Sequence, residues 1–287
     1  MKLGFWVAPE GSDAALSVVP LGDDHASGAQ RRASGIVSFL AASSEEELIA
    51  RCPRAAALLP QLAEALQNQA AAAQGRLFDI TDYAKDDLEL IAQVLGEGEV
   101  SGLAALPDGV VAQIAEASMA GLWRVRFMDA SGRLGADYLE IGAIPEIVRR
   151  AAALTADRLL FGAAPKGAMN VMPLLAEIAE RMSAWRAGEP THTINFSLLP
   201  VSEVDMSFLQ QTLGDGPVQL FSRGYGACKV TATGARNVWS VQFFNATDAI
   251  ILDTLEIGDV PAAACAAEED FRDSAERLRE IHEAYFT

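Results

Sequence analysis

The residues best equipped for chemistry crowd into one stretch. From position 219 to 237 the chain reads QLFSRGYGACKVTATGARN, which gathers Arg223, Tyr225, Cys228, Lys229, Arg236 and Asn237. Arginine and tyrosine bury large areas while keeping a polar handle, and they recur as anchors of protein interfaces. Glycines on both sides of Tyr225 let the backbone turn sharply, so the stretch reads as a loop between two strands presenting a cation and a ring. The same residues also fit a tight hairpin whose tyrosine folds onto its sheet. Cys228 offers a second chemistry, since a thiol acts as nucleophile or ligand only as its thiolate. Arg223 and Lys229 are the cations close enough in sequence to favour that form. No histidine is nearby, however, and a lone cysteine in a strand is more often a small buried hydrophobe.

Other reactive groups are scattered. Glu140 and Glu256 could suggest paired-carboxylate catalysis, but they occupy equivalent places in two separate segments and read as strand-edge or cap acids. The three cysteines, Cys52, Cys228 and Cys265, form no CxxC pair, which fits a reducing compartment. The three histidines, His25, His192 and His282, form no HxxxH motif or Cys/His cluster. Phosphate-loop, dinucleotide-binding and nucleophile-elbow signatures do not occur. We therefore expect no catalytic residue, no metal and no cofactor. The 287-residue chain carries a formal charge of −17, which disfavours a phosphate backbone as partner, so no nucleic acid is expected. Apolar runs are too short for membrane insertion, and a cytoplasmic location is expected.

The elements that must position these residues emerge from an internal repeat. Residues 122–145 read LWRVRFMDASGRLGADYLEIGAIP, and residues 238–261 read VWSVQFFNATDAIILDTLEIGDVP. Trp123, Val125 and Phe127 match Trp239, Val241 and Phe243; Leu-Glu-Ile-Gly recurs, and Pro145 matches Pro261. Upstream, VLGEGEV at 94–100 answers TLGDGPV at 212–218, shifted by a further two residues. Ordered self-similarity of this kind marks a duplicated structural unit. Each copy reads as a helix (Leu58, Leu62, Leu66; then Leu174, Leu175, Ile178, Met182, Trp185), followed by a strand (Arg76 to Ile80; His192 to Leu198). A short helix follows, from near Asp82 or Ser202 to a Gly-acid-Gly cap at Gly96 or Gly214. Three or four antiparallel strands come next, with Trp, Val and Phe facing inward. A final helix is placed by Pro145 or Pro261 at its first turn. The expected fold class is α+β: two tandem homologous repeats, each a mostly antiparallel sheet flanked by helices. The expected domains are a partly flexible N-terminal arm at 1–52, a first repeat at 53–162 and a second at 163–287.

Several segments of the second copy resemble a known family: Ile194-Asn195 with Leu198-Leu199-Pro200, Ser222-Arg223-Gly224-Tyr225-Gly226 with Cys228, Arg236-Asn237-Val238-Trp239 with Val241-Gln242 and Phe244-Asn245, and Leu255-Glu256 with Gly258 and Pro261. In this order and spacing they look like the C-terminal region of the HupH/HyaF/HoxQ hydrogenase expression/formation proteins. The resemblance implies an accessory protein, not an enzyme: a client-specific chaperone assisting assembly of the iron–sulfur small subunit of a nickel–iron hydrogenase. The implied partners are the small-subunit precursor and a thioredoxin-like maturation companion. The candidate partner-binding residues are Arg223, Tyr225, Cys228, Arg236 and Asn237. The alternative is a thiol-active or iron–sulfur-cluster-handling protein working through Cys228.

Overall fold

The computed structural model describes residues 45–224 and 226–286. Most of the arm expected at 1–52, and Tyr225, lie outside the described residues. In chain order the elements are α1 (Glu45–Arg51), α2 (Pro53–Gln67), β1 (Arg76–Asp79), α3 (Lys85–Leu95), β2 (Val100–Ala105), β3 (Val111–Glu116), β4 (Leu122–Met128), β5 (Leu134–Ile141) and α4 (Glu146–Ala153). They continue with α5 (Val171–Ala184), β6 (His192–Asn195), α6 (Glu203–Leu213), β7 (Asp215–Ser222), β8 (Ala227–Thr233), β9 (Val238–Phe244), β10 (Ile250–Ile257) and α7 (Glu268–Tyr285). The fold is α+β, with a large antiparallel sheet. Strand order runs β1-β5-β4-β3-β2 in the first segment and β6-β10-β9-β8-β7 in the second, the same topology twice. This matches what two repeats would give.

Local geometry repeats along with topology. Gly96 and Gly214 end α3 and α6 at φ of 61° and 65°, as the Gly-acid-Gly reading requires. At the turn before the tryptophan strand, Gly121 has φ 81° and its counterpart Asn237 has φ 60°. In the following hairpin Gly132 has φ 77° and Asp248 has φ 56°. These are left-handed conformations that glycine, asparagine and aspartate tolerate best. Asp129 and Asn245 brace the two hairpins by accepting from the backbone N–H groups two and four residues on.

The chain divides into two compact units, each assembled from separated stretches. One contains Glu99–Gln113 and Glu146–Cys265. In it β2, β7, β8, β9, β10 and β6 lie side by side, all antiparallel, with β2 pairing β7. One sheet face carries Ile194, Val238, Leu255 and Ile257 against Leu174, Leu175 and Ile178 of α5 and Leu209 and Leu213 of α6. α4 packs against β2 and β7. The other unit contains the described residues up to Gly98, Ile114–Pro145, and the chain from Ala266 on. There β1 pairs β5 and β5 pairs β4. α7 lies along α2, Ser274 Oγ donates to the Ala120 carbonyl, and the Phe271 ring fills the space above Gly121. Trp123 is fully buried and its Nε1 donates to the Gly142 carbonyl at 2.8 Å.

Four sequence expectations are corrected. The strand expected over His192–Leu198 stops at Asn195, whose side chain accepts from Ser197 N and turns Phe196–Leu198 into a 3-10 helix. Trp185 is not part of the α5 stripe; its extended backbone ends the helix. Pro261 starts a 3-10 turn, Ala262–Ala264, rather than α7, which begins at Glu268 with three acids in its first turn. In β9 the alternation of buried and open positions fails, because Ser240 and Gln242 are buried along with Trp239 and Val241. In β4, by contrast, Arg124 stays half-exposed in a bidentate pair with buried Asp137, at 3.0 and 2.6 Å.

Candidate functional site

The candidate loop closes the β7–β8 hairpin. Phe221 faces Lys229 and Ser222 faces Cys228 across the two strands, leaving residues 223–226 as the connection. The loop is tied to the start of β2, since Arg223 N donates to the Glu99 carbonyl at 3.0 Å. A Cβ on Gly224 would collide with the Glu99 carboxylate, which explains the first glycine. Gly226 has φ 116° and its N–H closes onto the Gly224 carbonyl at 2.8 Å, which explains the second. The Arg223 side chain is exposed. Tyr225, the ring expected here, lies outside the described residues.

Cys228 faces inward at 3% exposure. Burial, with a smaller contribution from the Glu256 carboxylate, pushes its pKa up to about 12. Arg223 and Lys229, the cations near it in sequence, do not lower it; the thiol stays protonated at neutral pH, as a small buried hydrophobe. Glu256 is half-buried one residue from the end of β10, between β9 and β6, and desolvation raises its pKa as well. Glu140 is buried at 3% exposure between Leu77 and Trp123. Both glutamates stand one residue from the ends of strands that are paired on both sides. Lys229 is half-buried, its pKa lowered by burial and raised in smaller part by Asp215. Its Nζ lies 5.8 Å from the centre of the Phe221 ring.

Arg236 and Asn237 occupy the opposite end of β8, about 20 Å away for a strand of this length. Arg236 N donates to the Ala156 carbonyl at 2.8 Å and its Nη2 to the Thr155 carbonyl at 3.2 Å. Asn237 takes the left-handed turn, and its carbonyl accepts from Gly258 N at 2.8 Å. Both residues brace a turn. The structure therefore gathers Arg223, Cys228 and Lys229 at one end of the hairpin and leaves Arg236 and Asn237 at the other.

The reading of the sequence missed two buried aspartates. Asp205, fully buried in the first turn of α6, accepts from Met169, Asn170 and Val171 N at 2.8 to 3.1 Å, capping the start of α5. It also accepts from Ser202 N and Oγ. Burial alone would raise its pKa, but the hydrogen bonds from Ser202, Met169 and Asn170 hold it well below the usual carboxylate range. Asp87, buried in α3, does the same for α2 through Ala55 N at 2.8 Å. Aligning the sequence on the glycine caps, where the copies are offset by two further residues, superposes these acids; aligning on the tryptophans hides them. Among the described residues no group of three His, Cys, Asp or Glu could hold a metal ion. No helix among them is long and apolar enough to cross a membrane.

The geometry thus defines an α+β protein whose distinctive polar side chains sit at hairpin ends. The family model described as "HupH hydrogenase expression protein, C-terminal conserved region" matches twice, at residues 53–159 and 168–285. The chain is 60% identical over 286 residues to "Hydrogenase expression/formation protein HupH" of Rhizobium leguminosarum bv. viciae, covering 100% of both chains. It is 44% identical over 243 residues to "Hydrogenase expression/formation protein HupQ" of Azotobacter chroococcum, covering 84% of this chain and 85% of the relative. To "Hydrogenase-1 operon protein HyaF" of Escherichia coli it is 35% identical over 239 residues, covering 82% of each. The chain belongs to the HupH family of hydrogenase expression/formation proteins.

Proposed function

We propose that this chain is a hydrogenase maturation accessory protein, a client-specific chaperone that binds the iron–sulfur small-subunit precursor of a nickel–iron hydrogenase during assembly. The two repeats are read as a duplication in which the first mainly builds the fold and the second carries the client-binding loop. The observation that supports this most is the exposed Arg223, held on a glycine-shaped loop anchored to Glu99, in a chain whose relatives are named for hydrogenase expression and formation. The backbone of Arg223 is held by Glu99 before docking, and an exposed guanidinium offers directed hydrogen bonds that suit an interface anchor. Tyr225, two residues on in sequence, is proposed to act with Arg223. The thioredoxin-like companion is a further proposed partner. No observation favours thiol or cluster chemistry at Cys228, whose sulfur is buried and held protonated.

The test is co-purification of the small-subunit precursor with the tagged chain from cells making hydrogenase, repeated with Arg223→Ala and Tyr225→Ala. The proposal expects capture by the wild type and loss of capture by the variants with unchanged thermal melting. Normal hydrogenase assembly in cells lacking the chain would refute it.

A further inference from the structure

Beside the loop, the second repeat departs from the first on one face of β7, β8 and β9. Phe221, Lys229 and Gln242 are register partners across these strands and therefore share a face, the one that carries Val238 against α5 and α6; buried Asp253 of β10 continues the row beyond buried Gln242. Phe244, two residues beyond Gln242, lies on that face as well. Phe221, Lys229 and Phe244 are half-exposed. No carboxylate among the described residues is within ion-pair distance of the Lys229 ammonium, whose near neighbour is the Phe221 ring. Asp215 acts on this ammonium only from beyond contact range, so part of its desolvation penalty is left uncompensated. Arg223 follows β7 by one residue, is exposed, and likewise has no side-chain ion pair among the described residues.

The first repeat supplies an internal control. At the positions of Phe221, Arg223, Lys229 and Phe244 it has Leu103, Ala105, Gln113 and Met128, and it builds the same strand order with them. At the position of Gln242 the first repeat has Arg126, so its face carries a cation one strand over, but the fold requires neither a cation at the positions of Lys229 and Arg223 nor rings at those of Phe221 and Phe244. At these positions they are specific to the second repeat, and their chemistry is that of a receptor: two cations without a contact ion pair beside two half-exposed rings. In a chain of net charge −17, an acidic segment is repelled by most of the surface, so a local cationic site of this kind selects where it docks as well as what it binds.

We propose that this face docks an acidic, partly apolar peptide segment of a partner protein, with its carboxylates pairing Lys229 and Arg223 and its apolar side chains lying on Phe221 and Phe244. The inference rests on the reading of the chain as a client-binding protein and names the chemistry that the client must display. Charge-assisted contacts of this kind weaken with salt where they are solvent-exposed.

The experiment uses the full chain and a short labelled peptide in which glutamates alternate with leucine and phenylalanine, followed by fluorescence anisotropy. Its counterpart has every glutamate replaced by glutamine. The glutamate peptide should bind, weaken with added salt, and weaken by roughly tenfold with Lys229→Met or with Arg223→Ala. Lys229→Arg should retain most of the binding, and the glutamine peptide should bind far less. Because Arg223 is exposed, Arg223→Ala gives a reading even if Lys229→Met folds poorly. Absence of binding to the wild type, or equal binding of the two peptides, overturns the inference. Capture of the small-subunit precursor is scored in parallel. Capture that survives both substitutions removes this surface while leaving the maturation role standing, whereas loss of any link to hydrogenase assembly removes the role itself.

Discussion

Asp205 shows how much one side chain can hold. It caps the helix before it and closes the first turn of its own helix, so five backbone or hydroxyl donors converge on one buried carboxylate. Its native pKa lies below its value in the unfolded chain. The carboxylate therefore adds stability at pH values above about 4, and that contribution is lost as the pH falls through the native pKa. Asp205→Asn should lower stability at pH 7 by about 2 kcal/mol. It should also flatten the acid limb of a stability-versus-pH curve measured by urea unfolding; an unchanged acid limb would show that Asp205 is not its source. Cys228 supports a prediction of the opposite kind. Cys228→Ala should leave precursor capture intact and cost about 1 kcal/mol in packing. Iodoacetamide should label Cys228 far more slowly in the folded than in the unfolded protein, and rapid labelling of the native chain would revive thiol chemistry. The sequence left a thiolate open because cations stood beside Cys228 in the chain, while a buried cysteine was the commoner reading. In the strand, burial outweighs them, since adjacent strand residues point to opposite faces.

At the scale of elements, glycine and tryptophan were the readable residues. Gly96 and Gly214 end their helices as expected, and the tryptophan strands pair as expected, because turn chemistry and period-two patterning are local properties. What a buried stripe packs against is not local. The stripe of Phe271, Ala275 and Leu278 was legible in α7, yet nothing in its period says that it lies along α2 with Phe271 above Gly121. Likewise, Arg223 and Arg236 looked like one cluster in the sequence, and a seven-residue strand, β8, holds them apart. The contact at Gly121 yields a prediction. Gly121→Ala must accept a left-handed backbone and displace the Phe271 ring, and should destabilise by about 2 to 3 kcal/mol. Asn237→Gly, at the equivalent turn, should change stability by less than about 1 kcal/mol. Chemical denaturation of the two variants checks both, and equal losses would contradict the packing described for Phe271.

For the whole molecule, the duplicated topology makes one repeat a control for the other. Where the copies agree, as at the tryptophans, the buried aspartates and the left-handed turns, the residues serve the fold. Where only the second copy carries exposed cations, rings and shaped glycines, the residues are free to serve a partner. That division, in a member of the hydrogenase expression/formation family, is what supports the proposal of a working surface at the end of the β7–β8 hairpin. The most direct measurement is quantitative capture of the hydrogenase small-subunit precursor by the tagged chain, comparing wild type with Arg223→Ala. The account predicts capture by the wild type and its loss in the variant, at equal expression and equal melting temperature. Undiminished capture by Arg223→Ala would contradict it.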